Sequence, residues 1–186
     1  MDPHKFYIEQ TTFDGRSYTQ GTLFDTYATW GIVCSKSPFR YFGDPKDVAS
    51  RNWLDQHGED VYIPSDVKLK KYDAEFTFLC NGTESNVKFN VRNFLLFLMG
   101  MRSKKREGKE EITIPAIGAR LAMFDEYTDI GWKDVRYKAS STDGLVMDNA
   151  DNEVILEFKV TFEIFDPYTE VNILRPVGGG NPRLIW

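Results

Sequence analysis

The chain has 186 residues, of which 28 are acidic and 23 are basic, so its formal net charge is −5. A chain of this length usually forms one domain with a hydrophobic core, which excludes a disulfide-stapled miniprotein and a disordered tail. Its mild acidity argues against general nucleic-acid binding, and its longest apolar run, residues 94–99, is far shorter than a membrane-spanning helix.

The cysteines and the aromatic residues indicate a protein with reduced thiols and many aromatic side chains. Cys34 and Cys80 each lie in an apolar segment, which predicts reduced core residues in a protein made in the cytoplasm. Residues 1–5 lack the pattern of an export signal. Phe, Tyr and Trp together number 27, and such residues favour strands and interfaces.

The first third of the chain is predicted to contain two strands and a long loop. The strands are predicted at residues 4–10 and 27–34, and the turn-rich loop spans residues 35–66. Loops longer than about 15 residues are uncommon in compact domains unless they are functional. Because this loop also carries aromatic residues, we expect it to pack against a partner. The aromatic residues expected to make that contact are Phe39, Tyr41, Phe42 and Trp53.

The clearest local patterns lie in the middle of the chain. Residues 72–80 alternate between apolar and polar side chains, which predicts a half-buried strand. Residues 85–99 place apolar side chains on one face at the helical period. We therefore predict an amphipathic helix that Ser85 caps at its start and Gly100 ends.

A densely charged segment, residues 101–111, follows the predicted helix. Basic Lys104, Lys105 and Arg106 alternate with glutamates nearby, so most of the positive charge is cancelled locally. A solvated, mobile tip is the simpler interpretation, and a contact between subunits is the functional one. Short strands are predicted after it, at residues 112–115, 119–124 and 132–140.

The strongest predicted strand spans residues 153–165. Apolar side chains occupy every second position, so we expect this strand to be central, with Phe158 and Phe162 buried. These patterns predict a mainly β fold, a β-sandwich or rolled antiparallel sheet, with one flanking amphipathic helix. Residues 1–170 would form this single domain, and residues 171–186, which include three consecutive glycines, would form an extended C-terminal arm. The arm residues expected to contact neighbours are Leu184, Ile185 and Trp186.

Motifs for catalysis or cofactor binding are absent from the sequence. It has no phosphate-binding loop, dinucleotide fingerprint or zinc-ligand spacing. The sharpest acidic cluster contains Asp55, His57, Glu59 and Asp60, whose side chains are of types that bind divalent ions. A solvated loop tip explains the cluster better, so we predict no metal site, cofactor or catalysis. The alternative of an enzyme would depend on these four residues alone.

Four segments together resemble a known family. They are KKYDAEFTFLC at residues 70–80, FNVRNFLLFLMG at residues 89–100, LAMFDEY at residues 121–127 and TFEIFDPY at residues 161–168. Their order resembles the N-terminal domain of siphophage distal tail proteins and, more broadly, the tail-tube superfamily. The resemblance implies a structural virion protein that forms rings, typically hexamers, with itself and neighbouring tail proteins. DNA would pass through the ring without specific binding, and no membrane would be involved.

A different class of function stays open at this stage. A soluble β-sandwich module could bind a ligand such as carbohydrate through an exposed Trp53 or Trp132. The mass in solution separates the two hypotheses, because a ring subunit assembles whereas the binding module is a monomer. Many distal tail proteins carry a further carbohydrate-binding domain, and the stretch after the last predicted strand is too short to hold one.

Overall fold

The computed structural model describes residues 4–38, 40, 42–52, 59–142, 147–148, 153–176 and 180–186. It is mainly β, as predicted, with strands and two helices in these ranges. The elements in chain order are β1 (Phe6–Phe13), β2 (Tyr18–Gln20), β3 (Phe24–Asp25), α1 (Thr26–Trp30), β4 (Ile32–Lys36), β5 (Ser50–Asn52), β6 (Glu59–Val61), β7 (Tyr72–Gly82), α2 (Glu84–Leu98), β8 (Ser103–Glu107), β9 (Glu110–Ile114), β10 (Arg120–Asp125), β11 (Ile130–Ser141), β12 (Met147–Asp148), β13 (Val154–Ile164), β14 (Asn172–Leu174) and β15 (Arg183–Ile185).

One large antiparallel sheet organises the molecule. Its strands run in the order β2-β1-β10-β11-β13-β7-β4, and the short β3 and β12 pair with β1 and β13. β13 is paired with β11 on one side and along its whole length with β7 on the other. The prediction of a central strand with Phe158 and Phe162 buried is therefore confirmed, since both side chains are fully buried.

The sheet is rolled rather than flat. β10, β11 and β13 separate β1 from β7 in the strand order, yet the ring of Phe6 in β1 lies 5.7 Å from that of Phe76 and 5.5 Å from that of Phe78 in β7. Strands that far apart in a flat sheet cannot bring their side chains into contact, because neighbouring strands are roughly 4.8 Å apart. The apolar faces of the strands therefore enclose a single core.

The predicted amphipathic helix, α2, covers the open side of the rolled sheet. Its Phe94 ring lies 5.3 Å from that of Phe78 on the opposing strand, and Gln10 of β1 donates a hydrogen bond of 2.8 Å to the Phe97 carbonyl. The helix begins after Thr83 rather than at the predicted Ser85 cap. Gly100 ends it in a left-handed conformation, and a Cβ there would lie 2.6 Å from the Ala119 backbone.

The strand predicted for residues 27–34 is wrong in its first half. Residues 26–30 form α1, because the Asp25 carboxylate accepts hydrogen bonds from the Tyr27 and Ala28 N–H groups. Gly31 ends this short helix with a φ of 65°, and only then does β4 begin. The capping residues at both ends, Asp25 and Gly31, favour the helical turn over the predicted strand.

The C-terminal segment differs from the projecting arm expected from its glycines. β14 and β15 pair as a hairpin on the outer face of β1 and β10. There Val171 and Leu184 join Tyr7, Ala122 and Phe124 in a second apolar cluster. These two buried residues, with the partly buried Ile173, attach the segment to its own domain, and β1 is buried on both faces from residue 6 to residue 11.

Candidate functional site

The predicted loop at residues 35–66 largely forms an antiparallel hairpin. We call residues 44–52 and 59–70 the long hairpin. At its base the Lys70 N–H donates to the Asp44 carbonyl at 2.6 Å and the Lys46 N–H to the Lys68 carbonyl at 2.7 Å. Further out, β5 and β6 pair with each other as a separate two-stranded sheet. The turn residues in the sequence concealed this pairing, because its strands are short.

The long hairpin exposes large apolar side chains. Tyr62 and Ile63 are 72% and 80% exposed, and three valines along the hairpin are exposed as well. The valines are Val48, Val61 and Val67. A two-stranded hairpin is marginally stable alone in water, and exposed apolar patches mark interaction surfaces. The long hairpin is therefore the strongest candidate for a contact surface.

The charged segment after α2 forms a second hairpin, from β8 and β9. Its basic side chains are paired within the chain: Lys104 contacts Glu111 at 2.9 Å and Lys105 contacts Glu107 at 3.7 Å. The guanidinium of Arg106 lies 4.0 Å from the Phe89 ring centre and hydrogen-bonds Asn86. The hydrogen bond from Lys104 lowers the pKa of Glu111. The three basic residues predicted at a subunit contact thus already have partners in their own chain.

The base of this charged hairpin is tied to both helices. The Asn93 side chain of α2 accepts a hydrogen bond of 2.8 Å from the Lys104 N–H. The indole N–H of Trp30 in α1 donates to the Lys104 carbonyl at 3.1 Å. Ser103 and Ile114 at the base are buried. The segment predicted as a mobile tip therefore has an anchored base.

A cavity of about 650 Å³ with acidic and aromatic walls lies beside the turn between β10 and β11. We call it the anionic cavity. Its exposed walls carry the carboxylates of Asp129 and Glu170 and the rings of Phe42 and Tyr168. Among the described residues neither carboxylate forms an ion pair, and Glu170 accepts one hydrogen bond, of 3.2 Å, from Asn172. The cavity therefore combines uncompensated negative charge with aromatic surface.

A surface of the opposite charge lies at the turn between β1 and β2. We call it the cationic surface; it lines a depression of about 420 Å³ and includes Arg16, Tyr18, Arg183 and Trp186. The Tyr18 ring lies 5.9 Å from the Trp186 ring, and the Lys133 ammonium lies 4.7 Å from the centre of the Tyr18 ring. Within the described part of the chain, neither arginine has an ion-pair partner.

Two carboxylates at the cationic surface, Asp14 and Asp134, are already engaged. Asp14 accepts hydrogen bonds of 2.8 Å from the backbone N–H groups of Ser17 and Arg16, and these lower its pKa, the bond from Ser17 most. Asp134 is paired with Arg120 at 2.6 Å. The arginines of the cationic surface therefore keep their charge available for a partner.

The alternative of a carbohydrate site receives no support from Trp132. Its side chain is 3% exposed, and its indole N–H donates a hydrogen bond of 3.1 Å to the Tyr72 hydroxyl. Such a ring has no free face on which a sugar can stack. Trp53, the other tryptophan considered, lies outside the described residues.

The acidic cluster predicted from the sequence is only partly placed. Asp55 and His57 lie outside the described residues, and Glu59 and Asp60 are placed in β6 by their backbone alone. Among the described residues no group of three His, Cys, Asp or Glu side chains is arranged to hold a metal ion. The prediction of no metal site stays a prediction.

Neither cysteine has the surroundings of a nucleophile. Cys80 is buried and Cys34 is half-buried, and both are free thiols. Burial raises the pKa of both thiols, that of Cys80 to about 11. Thiols with such pKa values stay protonated and unreactive at neutral pH.

The residues predicted at a subunit contact are distributed unevenly. Phe42 lies in the anionic cavity, and Ile185 and Trp186 lie on the cationic surface. Leu184 lines the same depression, but its side chain is 1% exposed because it packs in the second apolar cluster. Those outside the described residues are Phe39, Tyr41 and Trp53.

Sequence reasoning missed the residues that give the two surfaces their charge. Asp129 and Glu170 are separated by 41 positions in the chain, and Arg16 and Arg183 by 167, so no local pattern could bring them together. The exposed Tyr62 and Ile63 lay within the predicted loop and carried a signal, since an apolar pair in a loop is unusual.

Comparisons with known proteins leave function to be argued from these surfaces. No protein-family model matches the chain, and a search of curated proteins finds no significant match. No helix among the described residues is long and apolar enough to cross a membrane.

Proposed function

We propose that this protein is a structural subunit of a tailed-bacteriophage tail, which assembles with copies of itself into a ring around the DNA channel. The single observation that carries the proposal is the long hairpin with its exposed apolar side chains. The resemblance of four sequence segments to distal tail and tail-tube proteins supports it, and a rolled antiparallel sheet with a flanking helix is compatible with it.

The energetics of the long hairpin favour a permanent partner. Burying a large apolar side chain stabilises an interface by roughly 1.5–3 kcal/mol, so Tyr62 and Ile63 together would contribute several kcal/mol. Without a partner, that apolar surface stays in water, and no burial offsets the conformational entropy that is lost when the hairpin is ordered. A repeated structural contact between copies uses such a surface continuously.

The overall charge suits a conduit for DNA. The formal net charge of −5 gives a weakly repulsive field toward a polyanion. A channel of that sign lets DNA pass without trapping it. The proposal therefore includes neither catalysis nor a cofactor. The partners of the protein would be other copies of itself and neighbouring tail proteins. The resemblance implies a ring of six copies.

Sedimentation velocity and negative-stain electron microscopy test the proposal. The wild-type protein is expected to form rings or short tubes in a concentration-dependent manner. The double variant Tyr62→Ser/Ile63→Ser is expected to stay folded by circular dichroism but to assemble poorly. Tyr27→Ser is the matched control, because Tyr27 is an exposed tyrosine on α1, away from the long hairpin.

Two outcomes would contradict the proposal. A wild-type protein that is strictly monomeric up to high concentration would remove the ring, and binding of a sugar by that monomer would favour the carbohydrate module instead. Equal assembly of the double variant and the wild type would show that the long hairpin is not the contact.

A further inference from the structure

We infer that the anionic cavity of one copy receives the cationic surface of the next copy, so that subunits join head to tail. This inference rests on the proposed function and names a contact within the ring. The anionic cavity contributes Asp129 and Glu170, and the cationic surface contributes Arg16 and Arg183.

The first argument is position, because the two surfaces are built on different turns of the sheet. Phe6 at the start of β1 pairs with Asp125, just before the turn that holds Asp129. Phe13 at its end pairs with Tyr18 of the cationic surface. The C-terminal hairpin joins the two surfaces, since Asn172, next to Val171 of the cavity, pairs with Ile185 of the cationic surface. Among the described residues none of the four charged side chains forms an ion pair within the chain, so their charges are left for a partner.

The second argument is charge. Among the residues that the structure describes, the anionic cavity has two exposed carboxylates without a cationic partner, and the cationic surface has two exposed guanidinium groups without an anionic partner. Most other charged side chains on this protein are paired within the chain, as in the charged hairpin. Complementary charge at an interface speeds association and fixes the register of the partners.

The third argument is the aromatic surface that accompanies the charge. Phe42 and Tyr168 form walls of the anionic cavity, while Tyr18 and Trp186 flank the arginines of the cationic surface. Arginine packs well on aromatic faces and pairs with carboxylates in a planar, bidentate geometry. Tyr, Trp and Arg are also the residue types that contribute most to binding at interfaces.

Head-to-tail contacts have a defined consequence for assembly. A contact between two different patches of the same chain repeats without limit, and it gives a closed ring when the rotation between copies closes and an open filament when it does not. The occupant of the anionic cavity is therefore a second copy of this chain. A separate basic ligand is the competing occupant, and the experiment below excludes it.

Charge reversal provides the test. The first variant, Arg16→Glu/Arg183→Glu, makes the cationic surface negative. The second variant, Asp129→Asn/Glu170→Arg, makes the anionic cavity positive and keeps a residue that tolerates the left-handed φ of 55° at position 129. Each variant alone is expected to need at least about tenfold more protein for half-assembly than the wild type.

Mixing the two variants is the decisive measurement. In an equimolar mixture every contact pairs opposite charges again, so assembly is expected to return toward the wild-type concentration and to weaken at high salt. The control is Lys36→Glu/Arg92→Glu, which changes the net charge by the same amount as the first variant at exposed positions away from both surfaces. Circular dichroism checks that all variants are folded.

The outcomes separate this inference from the proposed function. A wild-type protein that never assembles overturns both. Assembly that depends on Tyr62 and Ile63 but is unchanged in both charge variants overturns the head-to-tail contact alone. Folded variants that fail to assemble, separately and in the mixture, would also overturn it, because a separate basic ligand or a general effect of charge would explain their loss.

Discussion

The two halves of the large sheet differ in the side chains on their outer faces and in whether those faces are covered. On β1 and β10 the outer face carries an apolar patch of Tyr7, Ala122 and Phe124, and the C-terminal hairpin covers it. On β7, β11 and β13 the outer face carries charged side chains that reach solvent. The main pairs there are Lys138 with Asp73, Lys71 and Arg136 with Glu163, and Lys159 with Glu75.

The difference shows what makes a sheet face need a cover. Exposure of an apolar outer face to water is unfavourable, so burying it under another chain segment stabilises the fold. Here Val171 and Leu184 of the C-terminal segment provide that cover. A face laced with opposite charges is stable in water. Its Glu163 carboxylate has a lowered pKa, first because of the hydrogen bond from Lys71. Variants that act on one face at a time can break or sharpen this comparison.

The largest expected loss lies on the inner face, which both halves share. Phe162 is fully buried, and its ring lies 5.3 Å from that of Phe76. Phe162→Ala is expected to lower the free energy of unfolding by about 3–5 kcal/mol, because it removes buried surface and leaves a cavity. Urea unfolding measures it, with Thr161→Ala on the outer face of β13 as control. A loss under about 1 kcal/mol would show that the core does not depend on this ring.

The covered half is tested at Leu184 of β15. Its side chain is 1% exposed and belongs to the second apolar cluster. Leu184→Ala is expected to cost about 2–5 kcal/mol of unfolding free energy. Ile185→Ala, at the exposed neighbour on the same strand, is expected to cost much less. If the two losses were equal, the C-terminal hairpin would not be part of the domain.

These residues also show how far sequence reasoning reaches. Alternation in β7 and β13 and the helical period in α2 predicted those elements, because each pattern is continuous over many residues. Val171 and Leu184 lie beside or in strands of only three residues, which are too short for a continuous pattern, so nothing local revealed that they pack on β1. The charges of the two candidate surfaces were missed for the same reason, since each surface is assembled from distant parts of the chain.

The covered half contains one feature that should make its stability depend on pH. Glu9 lies on the outer face of β1 and is 1% exposed, and Gln20 donates a hydrogen bond of 3.1 Å to its carboxylate and another of 2.9 Å to the Leu184 carbonyl. Burial raises the pKa of Glu9 to about 7. The folded protein therefore holds a proton that the unfolded chain loses near its ordinary pKa of 4.5.

The sign of the pH effect follows from the raised pKa. Stability is greatest below about pH 4.5 as far as this group is concerned, falls as the pH rises toward 7, and levels off above it. Glu9→Gln removes the charge that must be buried, so the variant is expected to be more stable than the wild type at about pH 8 by about 3 kcal/mol and equal to it at low pH. Unfolding midpoints measured across this range, with Glu157→Gln on the exposed half as control, check the prediction. A gain that was the same at every pH would contradict the titration of Glu9.

The smallest effect is expected on the exposed half, at the pair of Lys138 and Asp73. The ammonium lies 2.5 Å from the carboxylate, and this hydrogen bond raises the pKa of Lys138, but both side chains are half exposed. Hydration of the two separated ions is almost as favourable as their attraction in the ion pair, so exposed pairs contribute little to stability. Lys138→Gln and Asp73→Asn should each shift the unfolding midpoint far less than Leu184→Ala does, and high salt should reduce even that shift. A shift as large as that of Leu184→Ala would mean that the charged face contributes as much as the apolar one, and the distinction between the two halves would no longer hold.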